Sequence, residues 1–246
     1  MARLQQHSRM HQAIVLVLSL VLVGSCASTR PLPQPQRVVD PATISNALHT
    51  ARWDIAVVGY EYSDQGLDYR SAGLLPVCLV VANKTDERPQ ILVEEARGLA
   101  SSGEYLPYSV DEAVRLAVSS NAFSQATRKA AVSGGIGAAI GAGLGVLIGL
   151  LTGGNDLIWQ GAIIGGAIGG ASGAVSGAAH SEAELHAVAR EELYHYAWKG
   201  EPLPPKFTRA GYLYFPGNRD IGRVKVVVRS GATVETYVMG IAAPPR

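Results

Sequence analysis

Apolar positions along the chain fall into three patterns, and each predicts a different kind of element. The first is a run from Ala13 to Val23 that is apolar apart from Ser19 and follows the basic residues Arg3 and Arg9. It is too short for a comfortable transmembrane helix and has the length of a signal-peptide core. The second pattern is a set of short runs rich in Val, Ile, Leu and Tyr. Those at 53–62, 75–83 and 90–99 predict three strands, separated by turn clusters such as Asn83-Lys84-Thr85-Asp86. Pro76 places the second of these at a sheet edge. Strands return at 210–215, 223–229 and 233–241. Alternation in Val224-Lys225-Val226-Val227-Val228-Arg229 is partial, so one face is expected to be more buried than the other.

The third pattern is helical. Ser109-Val110-Asp111-Glu112 reads as a capping box, with Ser109 as the cap and Glu112 reaching back, so a helix is expected from Val110. A break is expected near Ser119-Ser120-Asn121. Beyond 180, an amphipathic helix is expected over 181–198, with Leu185, Val188, Ala189, Leu193 and Tyr196 as its apolar stripe. Gly200 and Pro202 stop it.

Between these helices lies the most informative stretch, 130–179. No charged residue occurs between Lys129 and Asp156, or between Asp156 and Glu182. The polar break Gly153-Gly154-Asn155-Asp156 is a turn signal. Gly137, Gly141, Gly145, Gly149 and Gly153 recur at every fourth position before or at that break, and Gly161, Gly165, Gly169, Gly173 and Gly177 do so after it. Glycine costs a helix interior about 1 kcal/mol per site relative to alanine, so two such rows need a physical reason. Residues four apart share one helix face. A glycine row there is a groove that lets a second backbone approach closely, the small-xxx-small packing of membrane helices. The other faces carry Ile136, Ile140, Leu144, Leu147, Ile148, Leu150 and Leu151, then Leu157, Ile158, Ile163, Ile164 and Ile168, which suit lipid or a neighbouring helix. From Ile136 to Thr152 a helix would span roughly 26 Å, against a bilayer core of about 30 Å.

These segments resemble the glycine-zipper two-helix segments of bacterial outer-membrane lipoproteins. Val23-Gly24-Ser25-Cys26 likewise resembles the lipobox that follows a lipoprotein signal peptide. The resemblance implies cleavage before Cys26 and acylation of Cys26 and of the new amino terminus, with palmitate among the chains. Several acyl chains give stable anchoring where one is marginal. Ala27 and Ser28 follow the cysteine, with no Asp to hold the protein at an inner membrane, so the resemblance implies the outer membrane. The layout of lipobox, soluble part and interrupting hairpin also resembles the surface-exclusion lipoproteins encoded on plasmids, over the anchor and the zipper.

The expected organisation is a signal peptide (1–25), lipidated Cys26 with a flexible tether (26–50), a first half of a β domain (51–108), a helical insertion (109–199) containing the zipper hairpin (130–179), and a second half of the β domain (200–246). The fold class is α+β: a small Ig-like β-sandwich interrupted by a long glycine-zipper helical hairpin. Both hairpin ends leave from the side of the β domain, so the turn at Asn155 is expected to point across the membrane from a periplasmic domain.

Composition narrows the chemistry. Lys and Arg number 21 against 20 Asp and Glu, which gives no reason to expect nucleic acid. Two cysteines occur, and with Cys26 acylated, Cys78 in Pro-Val-Cys-Leu-Val-Val reads as a buried thiol. His180, His186 and His195 share a helix with Glu182, Glu184, Glu191 and Glu192, but no closely spaced His pair makes a metal site, and a solvated charged face is expected. Tyr194-His195-Tyr196-Ala197-Trp198 reads either as interfacial aromatics or as core. No nucleophile with a base is recognisable, and Asp54, Glu61 and Asp64 carry no pattern, so no catalytic residue, metal or cofactor is expected. Three functions stay open at this point. They are a non-enzymatic envelope lipoprotein that self-assembles through its zipper and meets an envelope protein partner, an oligomeric pore or secretion-channel subunit, and a surface-exclusion or binding lipoprotein.

Overall fold

Runs of β-branched residues on both sides of the helical insertion become strands, and the two halves meet in both sheets. In a computed structural model, residues 41–62, 67–133, 144 and 182–244 are described. Cys26, Asp64, His180 and the zipper glycines from Gly137 to Gly177 lie outside the described residues. The strands are β1 (Leu48–His49), β2 (Trp53–Gly59), β3 (Leu74–Asn83), β4 (Gln90–Ile91), β5 (Arg97–Ala100), β6 (Gly103–Tyr105), β7 (Thr208–Pro216), β8 (Ile221–Ser230) and β9 (Thr233–Gly240). The helices are α1 (Val110–Val118), α2 (Asn121–Ser133) and α3 (Glu182–Tyr196). The chain is thus α+β.

One sheet, the inner, has the order β1-β2-β3-β7, antiparallel throughout. The other, the outer, is built on β8, which pairs β9 along one edge and both β4 and β5 along the other, with β6 outside β5. The strand expected over 90–99 is therefore two short ones. A 3₁₀ turn at Val93–Glu95 separates them while Leu92 and Ala96 stay buried.

Pro76 does not put β3 at an edge. β3 is central in the inner sheet, between β2 and β7. Pro76 stands opposite Tyr214, whose carbonyl points away from β3 and accepts from Tyr108 N at 2.7 Å. The pair therefore exchanges no ladder bonds. The carbonyl of Pro76 accepts from Tyr60 N at 3.1 Å, just past Gly59, the last residue of β2. The missing N–H faces the same way, where the β2 ladder has already ended.

The inner sheet is buried on both faces, and this makes three layers. Ile55, Val57, Val77, Leu79, Val81, Leu213 and Phe215 point toward the outer sheet and pack with Val224, Val226, Val228 and Met239. Ala56, Val58, Cys78, Val80, Tyr212 and Tyr214 point the other way and pack with α1, α2 and α3 through Ala113, Ala117, Phe123, Ala189 and Leu193. β3 is accordingly buried at every position but Ala82. Such a strand reads as a continuous apolar run, the pattern of strands covered on both faces.

Two side-chain clusters fasten the layers. Trp53 Nε1 donates to Tyr237 Oη at 3.0 Å, Tyr237 Oη donates to Glu235 at 2.7 Å, and Arg52 pairs with Glu235 at 3.1 Å, joining β2 to β9. Asn83, buried at the end of β3, donates to the carbonyls of Glu87 (2.8 Å) and Pro204 (3.0 Å). Its own amide oxygen accepts from Thr85 N (2.9 Å) and Thr85 Oγ1 (2.8 Å). The turn read from Asn83-Lys84-Thr85-Asp86 is organised by its first residue.

Candidate functional site

The helical layer is where the zipper is rooted. The capping box forms as expected: Ser109 Oγ accepts from Glu112 N at 3.3 Å, and Glu112 accepts from Ser109 N at 2.8 Å. The hydrogen bonds from Ser109 hold the Glu112 carboxyl below the usual range, with nearby Arg115 adding to it. α1 ends at Ser119, and Ser120 Oγ accepts from Phe123 N at 3.1 Å to start α2. The break between them falls where it was expected. α1 also packs along α3, with an exposed ion pair between Asp111 and Arg190 at 3.2 Å.

Beneath these helices the inner sheet presents tyrosines. The rings of Tyr212 and Tyr214 stack at 6.4 Å, and those of Tyr60 and Tyr69 meet edge to face at 5.3 Å. Tyr214 Oη donates to the Leu193 carbonyl of α3 at 2.8 Å. Tyr212 Oη donates to the Leu144 carbonyl at 2.9 Å. Leu144 belongs to the first zipper segment, and it is 0% exposed, within the cluster that joins the helices to the inner sheet. Of the two expectations for Leu144, lipid is corrected at this position: it is buried in the cluster shared by the helices and the inner sheet. A buried carbonyl and a buried hydroxyl each require a partner, and here they supply one another.

α3 carries the expected stripe, with Val188, Ala189, Leu193 and Tyr196 buried. Glu192 was expected on a solvated face. It is fully buried instead, because position 192 falls within the 188–189–193–196 stripe at helical spacing. Burial foremost, and the Glu192 charge with it, push the phenols of Tyr69, Tyr196 and Tyr214 upward. The aromatic run divides. Tyr196 and Trp198 are core, while Tyr194 is exposed beneath Lys199 Nζ, 3.3 Å from its ring centre. Burial lowers the pKa of His195. Among the described residues no group of His, Cys, Asp and Glu is arranged to hold a metal ion.

Past α3 the chain runs beside β7. Trp198 N donates to the Tyr212 carbonyl at 2.9 Å, and the Trp198 side chain enters the core between the two sheets. Gly211 makes this possible, since a Cβ there would lie 2.8 Å from Trp198 Cα. Cys78 is a free, fully buried thiol, and burial pushes its pKa up to about 12.

Of the carboxylates without a pattern, Asp54 is held by Lys84 (2.8 Å) and His49 (3.1 Å). Glu61 lines an open cleft of about 610 Å³ with Tyr60, Tyr62, Asp68 and Arg70. Asp68 is already engaged by the backbone and hydroxyl of Ser71. No described helix is long and apolar enough to cross a membrane.

The YMGG-like Gly-zipper family matches residues 111–181, less than a third of the chain. The match begins in the first turn of α1 and ends just before α3. The unit it marks is therefore longer than the glycine rows and includes the helical base seated on the inner sheet. No curated protein and no solved structure matches the chain.

Proposed function

We propose that this is a non-enzymatic, outer-membrane lipoprotein, acylated at Cys26, in which the glycine zipper inserts in the bilayer and packs helix against helix, within one chain and between copies. The observation that carries this reading is the glycine zipper at 111–181, with its two rows of glycine at every fourth position. The β domain is its base and the surface offered to other envelope components, and an Ig-like sandwich on the periplasmic side is the architecture that suits that task. The contact at Leu144 refines the arrangement, since part of the first zipper segment belongs to the base rather than to the bilayer. The segments beyond it, with Leu147, Ile148, Leu150 and Leu151 and then Ile163, Ile164 and Ile168, remain for lipid and for packing.

The native mass of the full-length protein extracted in mild detergent tests this. A discrete oligomer is expected. Gly165→Leu with Gly169→Leu is expected to disperse it, because leucine fills the groove that close packing needs. Leu147→Ile is expected to leave it intact. An oligomer indifferent to the glycine changes, or a monomer throughout, removes self-assembly. Labelled palmitate that still enters the Cys26→Ser variant removes the acyl anchor.

A further inference from the structure

The outer face of the outer sheet is basic in a way that the whole chain is not. The total of 21 Lys and Arg against 20 Asp and Glu is nearly balanced. On this face, however, Arg97 stands beside Lys225 in register, Lys225 opposite Val238, and Arg229 opposite Val234. Arg223, two residues from Lys225 and so on the same face, completes a set of four cations across β5 and β8. Their inward neighbours confirm the alternation, since Val224, Val226 and Val228 fill the core between the sheets.

Partners on this face are few. Lys225 meets Glu104 at 2.9 Å. Arg229 donates to Gln90 at 2.6 Å and Arg97 to the carbonyls of Glu94 and Ala96, all neutral acceptors. Among the described residues neither Arg223 nor Arg229 has a carboxylate partner, and both are exposed. Beside this row Val234 and Val238 are 55% and 50% exposed on β9, two of the few large apolar side chains left in solvent among the described residues.

We infer that this face docks on an anionic lipid surface. Cations spaced along a sheet face match a layer of phosphates, and long Arg and Lys side chains keep their charge in the headgroup region while their stems lie along apolar surface. The exposed valines distinguish a lipid surface from a soluble polyanion, which offers nothing apolar for them to enter. The face lies on the outer sheet, whereas Leu144 and the helices pack on the far side of the inner sheet. Docking would fix the orientation of the β domain on the membrane, which a flexible tether would leave free.

Phenylglyoxal modification of arginine, read by peptide mass at Arg223 and Arg229, tests this on the full-length chain in vesicles. Vesicles of phosphatidylcholine alone are compared with vesicles that also contain phosphatidylglycerol. Modification at both sites is expected to fall roughly fivefold or more in the anionic vesicles, the order set by one basic residue at a charged bilayer, and to recover in high salt. Equal modification in both vesicles, or protection that salt does not reverse, overturns the inference. Dextran sulfate protecting as well as the anionic vesicles assigns the face to a soluble polyanion and overturns it too. Val234→Asn with Val238→Asn, which removes the half-exposed apolar groups without adding charge opposite Arg229 and Lys225, is expected to abolish protection by vesicles; protection that persists overturns the lipid assignment. Because the readout sits on β8, it is independent of the zipper and acyl tests above.

Discussion

The hydroxyl of Tyr212 and the carbonyl of Leu144, 68 positions apart in the chain, meet at 2.9 Å in the core. One belongs to the inner sheet and the other to the glycine zipper, so this bond measures how firmly the zipper is held by its base. Tyr212→Phe keeps the ring and its stacking on Tyr214 but leaves a buried carbonyl unpaired. A loss of about 1–2 kcal/mol is expected in urea unfolding. Trypsin cleavage after Lys129 should quicken as the segment loosens. Tyr214→Phe, which releases Leu193 of α3 instead, should cost a similar amount with less effect on that cleavage.

Asn83 is the stronger structural test. All its side-chain hydrogen-bonding groups are engaged and it is 2% exposed. Asn83→Ala strands the carbonyls of Glu87 and Pro204 and the donors of Thr85. A loss of about 2–3 kcal/mol is expected, read as a lower urea midpoint with an unchanged slope. Asn83→Asp should be little better, because a carboxylate cannot donate to either carbonyl.

Gly211→Val drives a side chain against the backbone of Trp198, where even a Cβ would be at 2.8 Å. Overpacking of this kind costs about 1–3 kcal/mol. Trp198 should move out of its site between the sheets, so a red shift of tryptophan emission in the native state checks the mechanism, and the thermal midpoint checks the cost.

Burial opposes ionisation of Asp54, but hydrogen bonds from Lys84 and His49, with their charges, outweigh it and hold the carboxyl below its usual range. A group whose folded pKa is depressed adds stability above its unfolded pKa and loses it as pH falls through the folded value. Stability measured from neutral pH down to below the carboxylate range should therefore fall on the acid side. Asp54→Asn should lower stability near neutrality and flatten that acid limb. An acid limb of unchanged steepness in the variant would remove Asp54 from its cause.

The structure follows the sequence most closely where the signal was local. The capping box, the break before Asn121 and the stripe on α3 all depend on residues within a few positions of one another. β2, β3 and β7 to β9 were visible as apolar runs. What escaped reading depended on partners distant in the chain. Pro76 argued for an edge because the sequence does not show that β2 stops at Gly59. Glu192 looked solvated because charge was weighed above its position in the stripe. Lipid stayed open for Leu144 because nothing near it in sequence announces Tyr212. The basic face lay hidden in a partial alternation, since Val227, although on the outward side, is buried by its neighbours and breaks the pattern.

The pairing of β3 with β7 also sets an order of events. Leu74 lies beside Pro216 and Ala82 beside Thr208, so the two strands must find each other across the entire helical insertion. Contacts of such long separation form slowly, because a large loop closes before they return any stability. The first half of the β domain must therefore wait, with one side of β3 open, until the zipper and β7 have both been synthesised. An unpaired strand side invites pairing with other chains. A chain cut short after the zipper would thus carry its glycine rows on a base that had never closed.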